Sequence, residues 1–141
     1  DLHFNRAYFD TDENTLTGFN VFGLGAAGSE MLMEYAGLYS QGDGGFNNGY
    51  LGAAAVAPVG NPAATSWEFA VSRALVHPNT LTGPLAGQPV FGADGSTFGF
   101  LYTSDNGPNP GELVPDGASP LLIYTFAPPP TQSDSLIVFG P

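Results

Sequence analysis

Apolar and polar residues alternate most cleanly between Thr65 and Val71, where Trp67, Phe69 and Val71 fall on one face and Ser66, Glu68 and Ala70 on the other. That period of two predicts a half-buried strand. Phe98, Phe100 and Tyr102 share a parity and mark another. His3 to Phe9 reads as a short strand, broken by the polar run Asp10-Thr11-Asp12-Glu13-Asn14 and then by Thr17-Gly18. Phe19 to Leu24 is a weaker strand. Between Ser29 and Tyr39 the chain is ambiguous, because Met31, Met33 and Tyr35 alternate while Leu32, Ala36 and Tyr39 would form a helical stripe; the alternation favours one strand. Gln41 to Gly49 is a turn-rich loop, and Tyr50 to Val59 resumes an extended, small-residue run. Ser72 to His77 predicts a single helical turn before Pro78, and Leu81 to Pro89 a loop. Asp105 to Gly111 is a long turn. Leu121 to Ala127 and Leu136 to Phe139 are the last strands, separated by Pro128-Pro129-Pro130, a stiff polyproline segment. Without a heptad, a repeat or a long helix, the pattern predicts an all-β fold, an antiparallel, jelly-roll-like β-sandwich with little helix.

Length narrows this to one domain: 141 residues suit a single core. The expected division is a sandwich over 1–127, with 128–141 a proline linker and a C-terminal strand completing the same or a neighbouring domain. Gly 20 and Pro 13 supply turns, while a hydrophobic fraction of 43% is too high for a disordered linker. Charge changes the picture more. Lysine is absent, Arg6 and Arg73 are the only arginines, and the net charge is −11. The charge argues against nucleic acid as a partner, since binding it needs several basic side chains to displace counterions, and against polybasic docking on anionic lipid. Cysteine is absent, which removes disulfides, zinc–thiolate sites and thiol nucleophiles. No apolar run is long enough for a membrane span. Nothing at Asp1 resembles a signal peptide, so the expectation is that any targeting segment has been removed and the protein is extracellular.

The sharpest chemistry lies in Asp10-Thr11-Asp12-Glu13-Asn14, because alternating oxygen donors in a loop suit a hard cation such as calcium. Counted from Asp10, an EF-hand would need Gly where Thr15 stands and Glu where Val21 stands. The alternative is a solvated acidic hairpin loop in which Asp and Asn cap turns. Gly23-Leu24-Gly25-Ala26-Ala27-Gly28 matches a dinucleotide fingerprint, with Asp43 at a ribose-ligand spacing, but lacks the strand–helix context that the motif needs. His3 and His77 form no zinc set, and no spacing supports a Ser–His–Asp triad. Met31 or Met33 with a histidine could ligate haem iron, though alternating methionines on a strand more often fill a core. Tyr35, Tyr39, Phe46 and Tyr50, with Tyr102, could stack on sugar rings or pack internally. No catalysis is expected.

The order of motifs, Tyr8-Phe9-Asp10-Thr11-Asp12 with Asn14, then Thr17-Gly18, then Gly28-Ser29-Glu30 opening a strand, then Trp67-Glu68-Phe69-Ala70-Val71-Ser72-Arg73-Ala74-Leu75, resembles the family 9 carbohydrate-binding-module and DOMON-like β-sandwiches. The resemblance implies a secreted sandwich acting beside polysaccharide enzymes, with calcium held by Asp10, Asp12 and Glu30 and with Asn14 as a further ligand. Ser72 replaces the proline that closes the later motif in that family, and Trp67 is the only tryptophan, so the family's tryptophan clamp is missing. The chain also begins shortly before the acidic loop, where such domains carry further strands. This raises a different class of protein: a self-assembling extracellular filament or matrix subunit, a homo-oligomer in which Ser133 to Phe139 completes a neighbouring copy.

Overall fold

The computed structural model describes residues 6–21, 28–57, 68–103, 113–115 and 121–127. Their regular structure is β throughout, in antiparallel pairings, as the patterning predicted. The main sheet has the order β10 (Leu113–Val114), β9 (Thr97–Thr103), β1 (Arg6–Asp10), β4 (Met31–Glu34), β5 (Gly37–Ser40), β6 (Tyr50–Ala53). Strand β11 (Leu122–Thr125) also pairs with β9, along Thr97–Phe100, while β10 takes Tyr102 and Thr103. Two short ladders complete the structure: β2 (Phe19–Asn20) with β3 (Gly28–Ser29), and β7 (Ala55–Ala57) with β8 (Glu68–Ala70). Among the described residues, no helix is long and apolar enough to cross a membrane.

The main sheet is buried on both faces. Ala7, Phe9, Met31, Met33, Leu38 and Phe98 line one face, under Val56, Phe69, Val71, Val90, Phe91 and Phe126. Tyr8, Leu32 and Leu101 line the other, with Val21, Phe19, Tyr39 and Leu121. Two-sided burial is why β1 and β4 read as short continuous apolar runs rather than alternations. The first core is held largely by aromatic rings: Phe98 lies 5.6 Å from Phe91, 5.2 Å from Phe126 and 5.3 Å from Tyr124, centroid to centroid. Such a Phe truncated to Ala removes ~3–5 kcal/mol. Met31 and Met33 are part of this core, as filler.

Three local expectations need correction. Ser29 to Tyr39 is not one strand but a hairpin, β4 turning into β5 through Tyr35 and Ala36 at φ of 54° and 73°. Positive φ at both central residues is the twist a two-residue hairpin needs, yet neither residue is the Asn or Gly that normally signals it. Ser72 to His77 is not a helical turn. It runs back along 88–90, with Val90 N–H donating to Leu75 O at 2.9 Å and His77 N–H to Gln88 O at 2.9 Å, so backbone pairing replaces local coiling. The run from Tyr50 divides at the buried Ala54, β6 joining the main sheet and β7 the small ladder. Leu113–Val114 forms a short strand just past the expected long turn, where the pattern assigns no element. In β8, Phe69 is buried and Glu68 exposed, as the alternation required. Trp67, His3, the Gly23–Ala27 part of the glycine motif, the long turn Asp105 to Gly111, the triproline and Ser133 to Phe139 lie outside the described residues.

Candidate metal centre

Strand β1 carries Phe9 into one core and, by alternation, turns Tyr8 and Asp10 to the other face. Asp10 is 1% exposed. Beyond it the chain folds tightly on its own side chains. Asn14 N–H donates to Asp10 Oδ1 (3.1 Å) and to Asp12 Oδ1 (2.9 Å), and Thr17 Oγ1 donates to Asp12 Oδ2 at 2.9 Å. Asn14 Oδ1 accepts from Leu16 N–H at 3.1 Å, an Asx turn within the loop.

Glu30 enters from the neighbouring strand. Its N–H lies 2.9 Å from Phe9 O, although Phe9 is registered with Met31. Glu30 is thus the extra residue of a β-bulge, a device that re-aims a side chain. Its Oε2 accepts from Thr11 N–H at 2.8 Å, while Oε1 has no hydrogen-bond partner, in a residue 1% exposed. Gly18 makes this entry possible: at φ 63° it is left-handed, and a Cβ there would overlap Ser29 O and Glu30 Oε1.

One carboxylate oxygen from each of Asp10, Asp12 and Glu30 lies within 4.8 Å of the others. Ligands on opposite sides of a calcium ion stand ~4.6–5.2 Å apart, twice the Ca–O distance, so the three can share one ion. The electrostatics favour either a retained proton or a counter-charge. Burial, followed by repulsion from Asp12, pushes Asp10 up to about 6 against hydrogen bonds from Gly28, Asn14 and Glu13. Burial pushes Glu30 up to about 8, opposed by hydrogen bonding from Thr11 N–H and the Thr17 side chain and reinforced by Asp12 and Asp10. Neither arginine relieves them: Arg6 pairs with Glu34 at 2.6 Å and Arg73 with Asp94 at 2.5 Å. The donor set is all oxygen, which suits a hard cation rather than zinc or copper.

The aromatic residues singled out in the sequence do not gather at this centre. Tyr39 and Tyr50 face each other across β5 and β6, 5.6 Å apart at 59°. Phe46 packs on Phe19 (5.4 Å), with Arg6 5.4 Å over its ring. Tyr35 sits at the hairpin tip. Tyr35, Phe46 and Tyr50 are 46%, 40% and 64% exposed. Elsewhere, a pairing that no spacing suggested joins Ser40 Oγ to His77 Nδ1 at 2.7 Å. Both residues are buried, burial pushes the imidazole down, and His77 Nε2 has no hydrogen-bond partner.

No family model, curated protein or solved structure matches the chain.

Proposed function

We propose that the chain is a non-catalytic, extracellular β-module stabilised by calcium at Asp10, Asp12 and Glu30, and that its exposed tyrosines contact polysaccharide. One observation carries the metal reading: Glu30 is buried with a bare oxygen, beside two aspartates, while both arginines are engaged elsewhere. A carboxylate so placed is stable as an anion only with a positive charge against it. Calcium modules outside cells bind at ~10⁻⁴–10⁻³ M, which fits a centre with few charged donors.

Calcium chloride added to chelator-treated protein should raise the melting temperature, with a stabilisation of ~3 kcal/mol at a hundredfold excess over Kd. Asp12→Ala should abolish the response. Superimposable wild-type melts with and without calcium would overturn the metal reading. The sugar reading rests on the exposure of Tyr35 in the β4–β5 turn and of Tyr50 on β6, since exposed rings can stack on pyranose faces. Retention on insoluble polysaccharide that survives in Tyr50→Ser and in Tyr35→Ser would count against it.

A second reading has its own observation: β6 pairs only with β5 among the described residues, leaving an edge open to a strand from another copy. Calcium-loaded protein that stays monomeric in light scattering at high concentration would remove strand exchange.

A further inference from the structure

We propose that Gln41 supplies a fourth side-chain ligand, an uncharged amide oxygen, to the cation seated among Asp10, Asp12 and Glu30. This rests on the metal reading above and adds to it a residue from a third strand. Gln41 lies one position past β5, where its N–H donates to Glu30 O at 2.7 Å and sets the two residues side by side. Side chains along β5 alternate. Leu38 packs into the Phe9 core and Ser40 bonds His77, whereas Tyr39 packs with Tyr8 and Leu32. Gln41 follows Tyr39 to the face that carries Asp10. The turn after it, closed by Gly44 N–H donating to Gln41 O at 3.0 Å, brings Gly44 against Gly18 O, and Gly18 itself abuts Glu30 Oε1.

The independent observation is the state of the amide. Gln41 is 0% exposed, and neither its Oε1 nor its Nε2 has a hydrogen-bond partner. Buried primary amides are almost always bonded, because a bare one loses its hydration without compensation. Two such groups, the amide of Gln41 and Oε1 of Glu30, stand on neighbouring strands without bonding each other. A hard cation between them satisfies both oxygens at once, and a water on the ion accepts from Nε2. Calcium takes six to eight oxygens and readily includes amide carbonyls among them.

The test uses the full chain, with calcium chloride and terbium chloride as probes. For Gln41→Met, of similar length and without the oxygen, calorimetric calcium affinity should fall about tenfold or more. Terbium luminescence lifetimes in H₂O and D₂O should count one more bound water than in the wild type. A merely structural glutamine would move neither, since methionine removes two bare polar atoms and should hold or raise the calcium-free melting temperature. Unchanged affinity and water count in Gln41→Met, with the wild type binding calcium, would overturn the role of Gln41 and leave the three-carboxylate site standing. A wild type that binds neither ion would overturn both. Should the methionine variant not fold, the assigned Gln41 side-chain amide resonance of the wild type decides: it should shift in step with calcium occupancy, and an immobile resonance refutes the contact.

Discussion

A single oxygen of Glu30 shows how strongly neighbours constrain one residue. Thr11 N–H holds Oε2, the bulge at Phe9 sets the direction, and Gly18 leaves the space that Oε1 enters. Gly18→Ala should therefore destabilise the protein by at least ~2 kcal/mol, since the left-handed backbone alone adds ~1–2 kcal/mol for a residue with a Cβ and the new methyl would press on Ser29 O. Chemical denaturation reads this directly, and an unchanged midpoint would mean the loop can move aside. Asp10 and Asp12 were legible in the sequence because both lie within one short loop, where spacing alone reports proximity. Glu30 stands out in the sequence as the acid opening a later strand, but only the resemblance implied it as a ligand, because twenty positions of chain separate it from Asp10. Asn14 is implied as a ligand only by the resemblance, and its side-chain oxygen accepts one hydrogen bond from Leu16 N–H.

Among elements, the β4–β5 hairpin was the hardest to read. Met31, Met33 and Tyr35 alternate straight through the turn, and Tyr35-Ala36 carries none of the usual chemistry of a tight turn. What bends the chain is burial on both sides: Leu38 must return to the core that Met33 occupies. Gln41 was invisible for the same reason, because only a turn at Tyr35 and Ala36 sets it beside Glu30. The strain gives a prediction at this scale. Replacing the pair with Asn-Gly should stabilise the protein by about 1 kcal/mol, seen as a higher melting temperature with an unchanged calcium response. A lower melting temperature would show that the Tyr35 ring contributes more than its backbone loses. By contrast β8 and β9 were legible, since Phe69 and the Phe98–Tyr102 series keep parity in elements packed where the pattern says.

At the scale of the molecule, pH should act in opposite senses on the metal-free and calcium-loaded protein. Asp10 and Glu30 hold their protons more tightly folded than unfolded, with values of about 6 and about 8 against 3.8 and 4.5. Without metal, their contribution to stability is fully present below about pH 4 and is lost as pH rises through 6 and then 8, by an amount on the order of a few kcal/mol. Chelated protein should thus melt lower at pH 8 than at pH 5, and Glu30→Gln should flatten the upper part of that decline. At the proposed site calcium would bind the deprotonated carboxylates, so its stabilising effect should grow over the same range. A calcium effect equal at pH 5 and pH 8 would place the ion elsewhere.

The bulge at Glu30 also has a topological consequence. An ion shared by Asp10 and Glu30 closes the chain between them into a ring and ties β1 to β4 at the centre of the main sheet, in a sequence with no cysteine. Such a closure restricts the unfolded chain much as a covalent cross-link does, but it can be withdrawn by a chelator or by acid. If calcium occupies the proposed site, the sheet would have a reversible fastening whose strength follows the calcium of its surroundings, and the module would be more stable where calcium is plentiful than where it is scarce.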